Sequence, residues 1–211
     1  YYAENSAEAY AVGADFKVNG EFVKGVDSWV NIGFLTIQED IKNDAYYDYF
    51  NSDGEKIVPG FTINNEPTDS VLNEPGYIPR PTDQRINFSL FFQDYLPSNP
   101  SYQMHMTFHY GSGMPFGPPS RERYKDTLSI PPYIRVDLGF SKELIGKDTK
   151  LKANSPFRHF ESVWLGIDIF NLLQRNNTLS YLWVTDVSNR QYAVPNYLTS
   201  RQLNVRLMIE F

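Results

Sequence analysis

The chain has no cysteine, which excludes a disulfide scaffold, a thiolate-held metal and a cysteine nucleophile. It has no apolar run near the ~18 residues that a membrane-spanning helix needs. A spanning β-barrel stays open, because barrel strands alternate and are polar on average. Positive charge is not in excess: 19 Lys and Arg stand against 25 Asp and Glu, a formal charge of −6. Nucleic acid therefore finds no basic footprint. With 13 glycines and 14 prolines in 211 residues, collagen-like and low-complexity chains are excluded. What the chain has in plenty is aromatic residues, 16%, within a 41% hydrophobic composition. Such a chain folds, and its length fits about one domain. It opens Tyr1-Tyr2-Ala3-Glu4-Asn5, with neither an initiator methionine nor a basic start before an apolar signal core. The expectation is a piece of a longer polypeptide.

The dominant pattern has period two. Ile86, Phe88, Leu90 and Phe92 alternate with Arg85, Asn87, Ser89 and Gln93, around a single out-of-phase Phe91. Tyr102, Met104, Met106, Phe108 and Tyr110 alternate with Gln103, His105, Thr107 and His109. Ile134, Val136, Leu138 and Phe140 alternate with Arg135, Asp137, Gly139 and Ser141. Val163, Leu165, Ile167 and Ile169 flank Gly166 and Asp168. Leu203, Val205, Leu207, Ile209 and Phe211 alternate with Gln202, Asn204, Arg206 and Glu210. Successive strand side chains face opposite sides, so each run has one apolar and one polar face. Weaker runs over 12–23 and 28–41 bring the count to seven strands, with no helix.

Two architectures fit this pattern: a soluble sandwich whose apolar faces meet, and a membrane barrel whose apolar faces meet lipid. The runs exceed the about five or six residues usual in soluble strands and approach the roughly nine to eleven of tilted membrane strands. The connections alternate as well. Segments 24–27 and 97–100 are tight, whereas 42–81, 111–132 and 171–200 are long. Outer-membrane barrels pair short periplasmic turns with long outer loops. The 144–161 connection is longer than that scheme wants. Tyr102 and Trp164 at short-turn ends, with Tyr46, Tyr47, Tyr49 and Phe50 at a long-loop end, suggest aromatic girdles. The reading is an all-β, transmembrane antiparallel barrel. Seven strands are odd in number and leave an edge unpaired, so this segment needs neighbouring strands to close.

The wording of several stretches is also familiar. "IPRPTDQRINFSLFFQDYLPSNPSY" (78–102), "GMPFGPP" (113–119), "YIRVDLGFSKEL" (133–144) and "WVTDVSNRQYAVPNYLTSRQLNVRLMIEF" (183–211) resemble the C-terminal end of TonB-dependent receptors of Bacteroidota. The resemblance spans nearly all of residues 1–211. It implies the last seven or so strands of a 22-stranded barrel in the outer membrane. The plug, the N-terminal strands and the TonB-contacting segment have no counterpart in this stretch. The implied function is uptake of a ligand too large for porins. The alternative is a structural barrel subunit of a larger outer-membrane complex. Implied partners are outer-membrane lipid, the remaining strands and plug, the barrel-assembly machinery, TonB through the N-terminal part, and a surface lipoprotein or larger complex.

On this reading Arg85, His105, His109, Arg135, Asp137, Asp168, Arg206 and Glu210 form the lumen wall. Leu203, Val205, Leu207, Ile209 and Phe211 form the closing strand, which the resemblance makes the assembly signal. His105 and His109 lie roughly 13 Å apart on one strand, too far to share a metal ion; His159 lies in a connection. His105 with Asp83 or Asp137 can be drawn as a dyad, but no serine nucleophile motif accompanies it, and no enzyme is expected. Asp44, Asp48 and Asp53 do not match the spacing of a calcium loop. No cofactor is expected. Asp69-Ser70-Val71 and Asp126-Thr127-Leu128 resemble a Bacteroidota O-glycosylation sequon, which makes Ser70 and Thr127 candidate modification sites.

Overall fold

The computed structural model describes residues 5–23, 25–96, 98–119, 122–146, 149–151, 155–188 and 190–211. Seven strands follow one another as an antiparallel meander: β1 (Ala7–Val23), β2 (Val26–Ile41), β3 (Ile86–Leu96), β4 (Asn99–Gly111), β5 (Tyr133–Ile145), β6 (Ser162–Phe170) and β7 (Gln202–Glu210). These are the seven expected from the alternation, with shifted ends; β1 gains most, at its start. A short segment, Tyr77–Pro79, pairs with β2 near its C-terminal end. The described helical structure is a single 3-10 turn, Pro156–His159.

Register merges the seven apolar faces into one. Residues directly opposite each other in an antiparallel pair share a face, and a one-residue slip would exchange the faces. Phe16 pairs with Ile32, Ile32 with Phe88, Phe88 with Tyr110, and Tyr110 with Ile134. A second row runs Phe92, Met106, Leu138, Ile169, Leu203. A third runs Met104, Phe140, Ile167, Val205. The other face carries Gln93, His105, Gly139, Asp168 and Asn204 in a single row.

Among the described residues the sheet has no second layer: its strands contact chiefly their hydrogen-bonded neighbours. Among the described residues the only buried hydrophobic ones are Ile78 and Val163, whereas eight polar or charged residues are buried. The apolar face stands open instead, with Val12 65%, Phe16 60%, Leu203 70% and Val205 63% exposed. The hydrogen-bonded path ends at β1 on one side and β7 on the other, so among the described residues the sheet is open and forms no closed barrel.

The two ends of the sheet differ. At one end Val23 pairs with Val26 across Gly25, whose φ of 87° is a conformation that glycine adopts without strain. At the same end Leu96 pairs with Asn99. The three hairpins closing there each carry a register shift beside the turn, between Glu21 and Val23, Tyr95 and Leu96, and Glu143 and Ile145. Such bulges bend and twist a sheet at its rim.

At the other end the long connections hold hairpins of their own. Tyr46–Phe50 pairs with Asp69–Asn73, Pro115–Phe116 with Leu128–Ser129, and Thr178–Thr185 with Gln191–Tyr197. Alternation marks these stretches only as long loops, without the hairpins. Local pairing is how such long connections satisfy their backbone groups. Of the residues expected in girdles, Tyr46, Tyr47, Tyr49 and Phe50 stand in the loop hairpin that follows β2. Trp164, opposite Glu143 and Met208, lies on the polar face. Tyr102 keeps its place on the apolar face, beneath the ammonium of Lys142 at 4.9 Å.

Candidate functional site

Register puts His105, His109, Arg135, Asp137, Asp168, Arg206 and Glu210 on the polar face, in separate local pairings rather than one centre, while Arg85 stands just before β3, outside the register. Arg85 Nε donates to Asp83 Oδ2 at 2.7 Å, while Asp83 Oδ1 accepts the Ile37 backbone N–H at 2.8 Å. His109 Nδ1 lies 3.0 Å from the Ser89 hydroxyl. Arg135 Nε donates to Asp137 at 2.7 Å, and Asp137 Oδ1 also accepts the Asn171 N–H at 2.8 Å. Ser162 Oγ donates to Glu210 Oε2 at 2.7 Å. Ion pairs of this kind hold side chains against the sheet and leave their outer edges for further contacts.

Another buried group is built around Asp168, which is 5% exposed. Asn204 Nδ2 donates to its Oδ2 at 3.2 Å. His105 Nε2 stands 3.5 Å and Arg206 Nη2 4.0 Å from Oδ1, an oxygen that has no hydrogen-bond partner. Gly139, between His105 and Asp168 in the row, makes this meeting possible. A methyl group there would run into the His105 ring. The carboxylate partner of His105 is therefore Asp168, two strands away, rather than Asp83 or Asp137, because register rather than sequence proximity decides who faces whom. Among the described residues no group of three or more His, Cys, Asp or Glu is arranged to hold a metal ion.

Beside this group lies a cavity of about 470 Å³ lined by Phe91, Gln93, Tyr95, Gln103, His105, Ser141, Trp164 and Arg206 among others. Trp29 stacks on Phe91 at 6.0 Å and Tyr95 meets Trp164 edge-on at 6.4 Å. The polar face thus offers flat rings and amide, imidazole and guanidinium donors together, a surface for packing against polar, hydrogen-bonding matter.

The long-connection end is organised by residues that the sequence reading did not single out. Glu39, 7% exposed, pairs with Arg80 Nε at 3.1 Å and with Arg123 of the next long connection. Burial lowers the Arg123 guanidinium below its ordinary pKa. Arg190 Nε donates to Gly60 O at 2.6 Å, and its guanidinium lies over Phe61 at 5.3 Å. Phe116 stacks flat on Tyr181 at 4.4 Å. All three long connections are tied together by these contacts. A cavity of about 710 Å³ opens between them, with Phe61, Leu128 and Trp183 in its wall. The available hint in the sequence was the adjacent acidic pair Glu39-Asp40 near the end of β2.

Asn171 and Asn177 anchor the last of these connections. Asn171 has φ 51°, a left-handed conformation that asparagine tolerates better than most residues. Its side chain accepts from Arg175 N and donates to Arg175 O and Thr199 O. Asn177 Oδ1 accepts the Ile134 N–H at 3.0 Å and its Nδ2 donates to Ile134 O at 2.9 Å. Ser70 and Thr127, the candidate modification sites, are both exposed on long connections; the Thr127 hydroxyl donates to Arg123 O at 2.7 Å.

Compared with family models, curated proteins and solved structures, the chain matches none.

Proposed function

We propose that this chain is the C-terminal barrel portion of a TonB-dependent outer-membrane receptor that takes up a ligand too large for porins. The observation that carries the reading is the largely apolar face that runs across all seven strands, with Ser28, Asp94 and Lys142 toward its short-turn end, opposite a face that holds most of the polar and charged side chains. In water so large an exposed apolar surface is unfavourable; in a bilayer it is the surface that lipid covers. Apolar alternation over 102–110 and 203–211 is nine residues long, the length that a tilted strand needs to cross hydrocarbon, roughly nine to eleven. The contrast between bulged short turns at one end and interlocked long connections at the other supports a periplasmic and an outer end, respectively.

On this reading the free edges of β1 and β7 pair with further strands of the same barrel. The polar face borders the lumen and the plug, and TonB acts through the N-terminal part. The test is fractionation of the native protein. A band in detergent-extracted outer membranes that changes mobility on heating is the expected result; recovery of the intact protein in the soluble fraction overturns the proposal.

A further inference from the structure

Two neighbouring rows on the polar face build the cavity of about 470 Å³. One row runs Tyr95, Gln103, Ser141, Gly166, Arg206 from β3 to β7, and the next runs Gln93, His105, Gly139, Asp168, Asn204. Ser141 and Gly166 at its centre are small, and larger groups stand around them: the rings of Phe91, Tyr95 and Trp164, and the thioether of Met208. The result is a depression with flat apolar walls. Its volume falls in the range of about 300–1,000 Å³ usual for sites that take small organic molecules.

Among the described residues that line this cavity, Arg206 alone carries a permanent charge. Its guanidinium lies along the Gly166 backbone, where an added methyl group would stand 3.4 Å from Nε and 3.5 Å from Nη2. Its one ion pair is the 4.0 Å approach to Asp168, and the Arg206 side chain is 45% exposed. Asp168, buried beneath, gives one oxygen to Asn204 and turns the other toward His105 and Arg206. The buried acid thus holds one side of the guanidinium without closing a tight two-point pair on it. Glu143 and Glu210 face a separate cavity at the short-turn rim. An arginine fork that is open on one side pairs with an incoming carboxylate through two parallel hydrogen bonds. The Gln93 and Gln103 amides supply neutral donors beside it.

We infer that this cavity binds a carboxylate carried on a flat apolar body, with the carboxylate on Arg206 and the body against the rings. The site is a property of the polar face and holds whatever covers the apolar one, so its failure and that of the membrane reading are separate results. The carboxylate has two sources to distinguish, a free small acid and an acidic side chain of another segment of the same polypeptide. The experiment is phenylglyoxal labelling of arginine in the complete native polypeptide, read by peptide mass spectrometry, with naphthoate as the probe. For a free acid, Arg206 labels in the untreated protein and naphthoate slows that labelling about tenfold. The neutral naphthamide leaves it unchanged, and Arg80, in the first long connection, responds to neither. For an acidic side chain, Arg206 resists label before any addition, and carbodiimide treatment of Arg206→Lys joins position 206 to an acidic residue other than Asp168. An Arg206 that labels freely at the same rate with and without naphthoate overturns the proposal. Equal slowing by naphthoate and naphthamide, or protection without such a cross-link, overturns it as well.

Discussion

Asn177 does with a side chain what a neighbouring strand does with backbone: its amide both donates to and accepts from Ile134 at the start of β5. Asn177→Ala leaves those two groups without partners, at a cost of about 1–3 kcal/mol. The expected result is faster proteolytic nicking of the hairpin over 178–197, with the seven-stranded sheet intact. Gly139 makes room for another such contact. Gly139→Ala drives a methyl into the His105 ring and should cost ~1–3 kcal/mol, read as a lower temperature for the heat-induced mobility shift. Acid acts on a third residue. Backbone N–H donation from Arg190, then from Ser188, and the Tyr192 hydroxyl hold the Asp186 carboxyl below its ordinary pKa. A depressed folded pKa stabilises fully above the unfolded value, about 3.9, and that support is lost as pH falls through the folded value. The 178–197 hairpin should therefore loosen below about pH 4. Amide protection factors in this hairpin, taken relative to intrinsic exchange at each pH, that do not fall between neutral and acidic pH contradict the assignment.

Among the elements, β7 carries the clearest test of facing. Leu207 pairs with Leu165 in the apolar sheet face, while Arg206 sits opposite Gly166 on the polar one. In a bilayer, Leu207→Arg costs ~2–4 kcal/mol if the position lies near the midplane, whereas Arg206→Leu is tolerated for insertion. On the outer-membrane proposal, deleting Phe211 removes the last ring of the strand and should lower the amount of folded protein in that membrane without changing synthesis. Equal insertion of all three variants would show the facing to be wrong. Five of the seven strands were plainly legible in the sequence because the central positions of one face carry no charge, the first two more weakly, and alternation is a local property. The loop hairpins were not. Tyr46, Tyr47, Tyr49 and Phe50 place rings on both faces of a five-residue strand, so no period stands out.

For the molecule as a whole, the distribution of burial is inverted relative to a soluble domain: polar side chains are buried while apolar ones stand exposed across one face. Surface chemistry at the long-connection end offers a further prediction. Ser70 lies exposed on a loop hairpin, whereas a sugar on Thr127 must displace the hydroxyl's bond to Arg123 O. Intact glycopeptide mass spectrometry should find Ser70 occupied at least as fully as Thr127; both bare removes the proposal of O-glycosylation. The sequence by itself determined the all-β class, the seven long strands, the two-faced character of each and the alternation of short and long connections. All of these follow from residue order over a few positions. Only the tertiary structure decided that the seven apolar faces join in register, that His105 meets Asp168 across Gly139, and that Glu39, Arg80 and Arg123 bind two long connections together. Trp164 belongs in the same group, since pairing with Glu143 and Met208 puts it on the polar face. Register between strands depends on which residues oppose one another over long stretches of chain, and no local pattern carries that information.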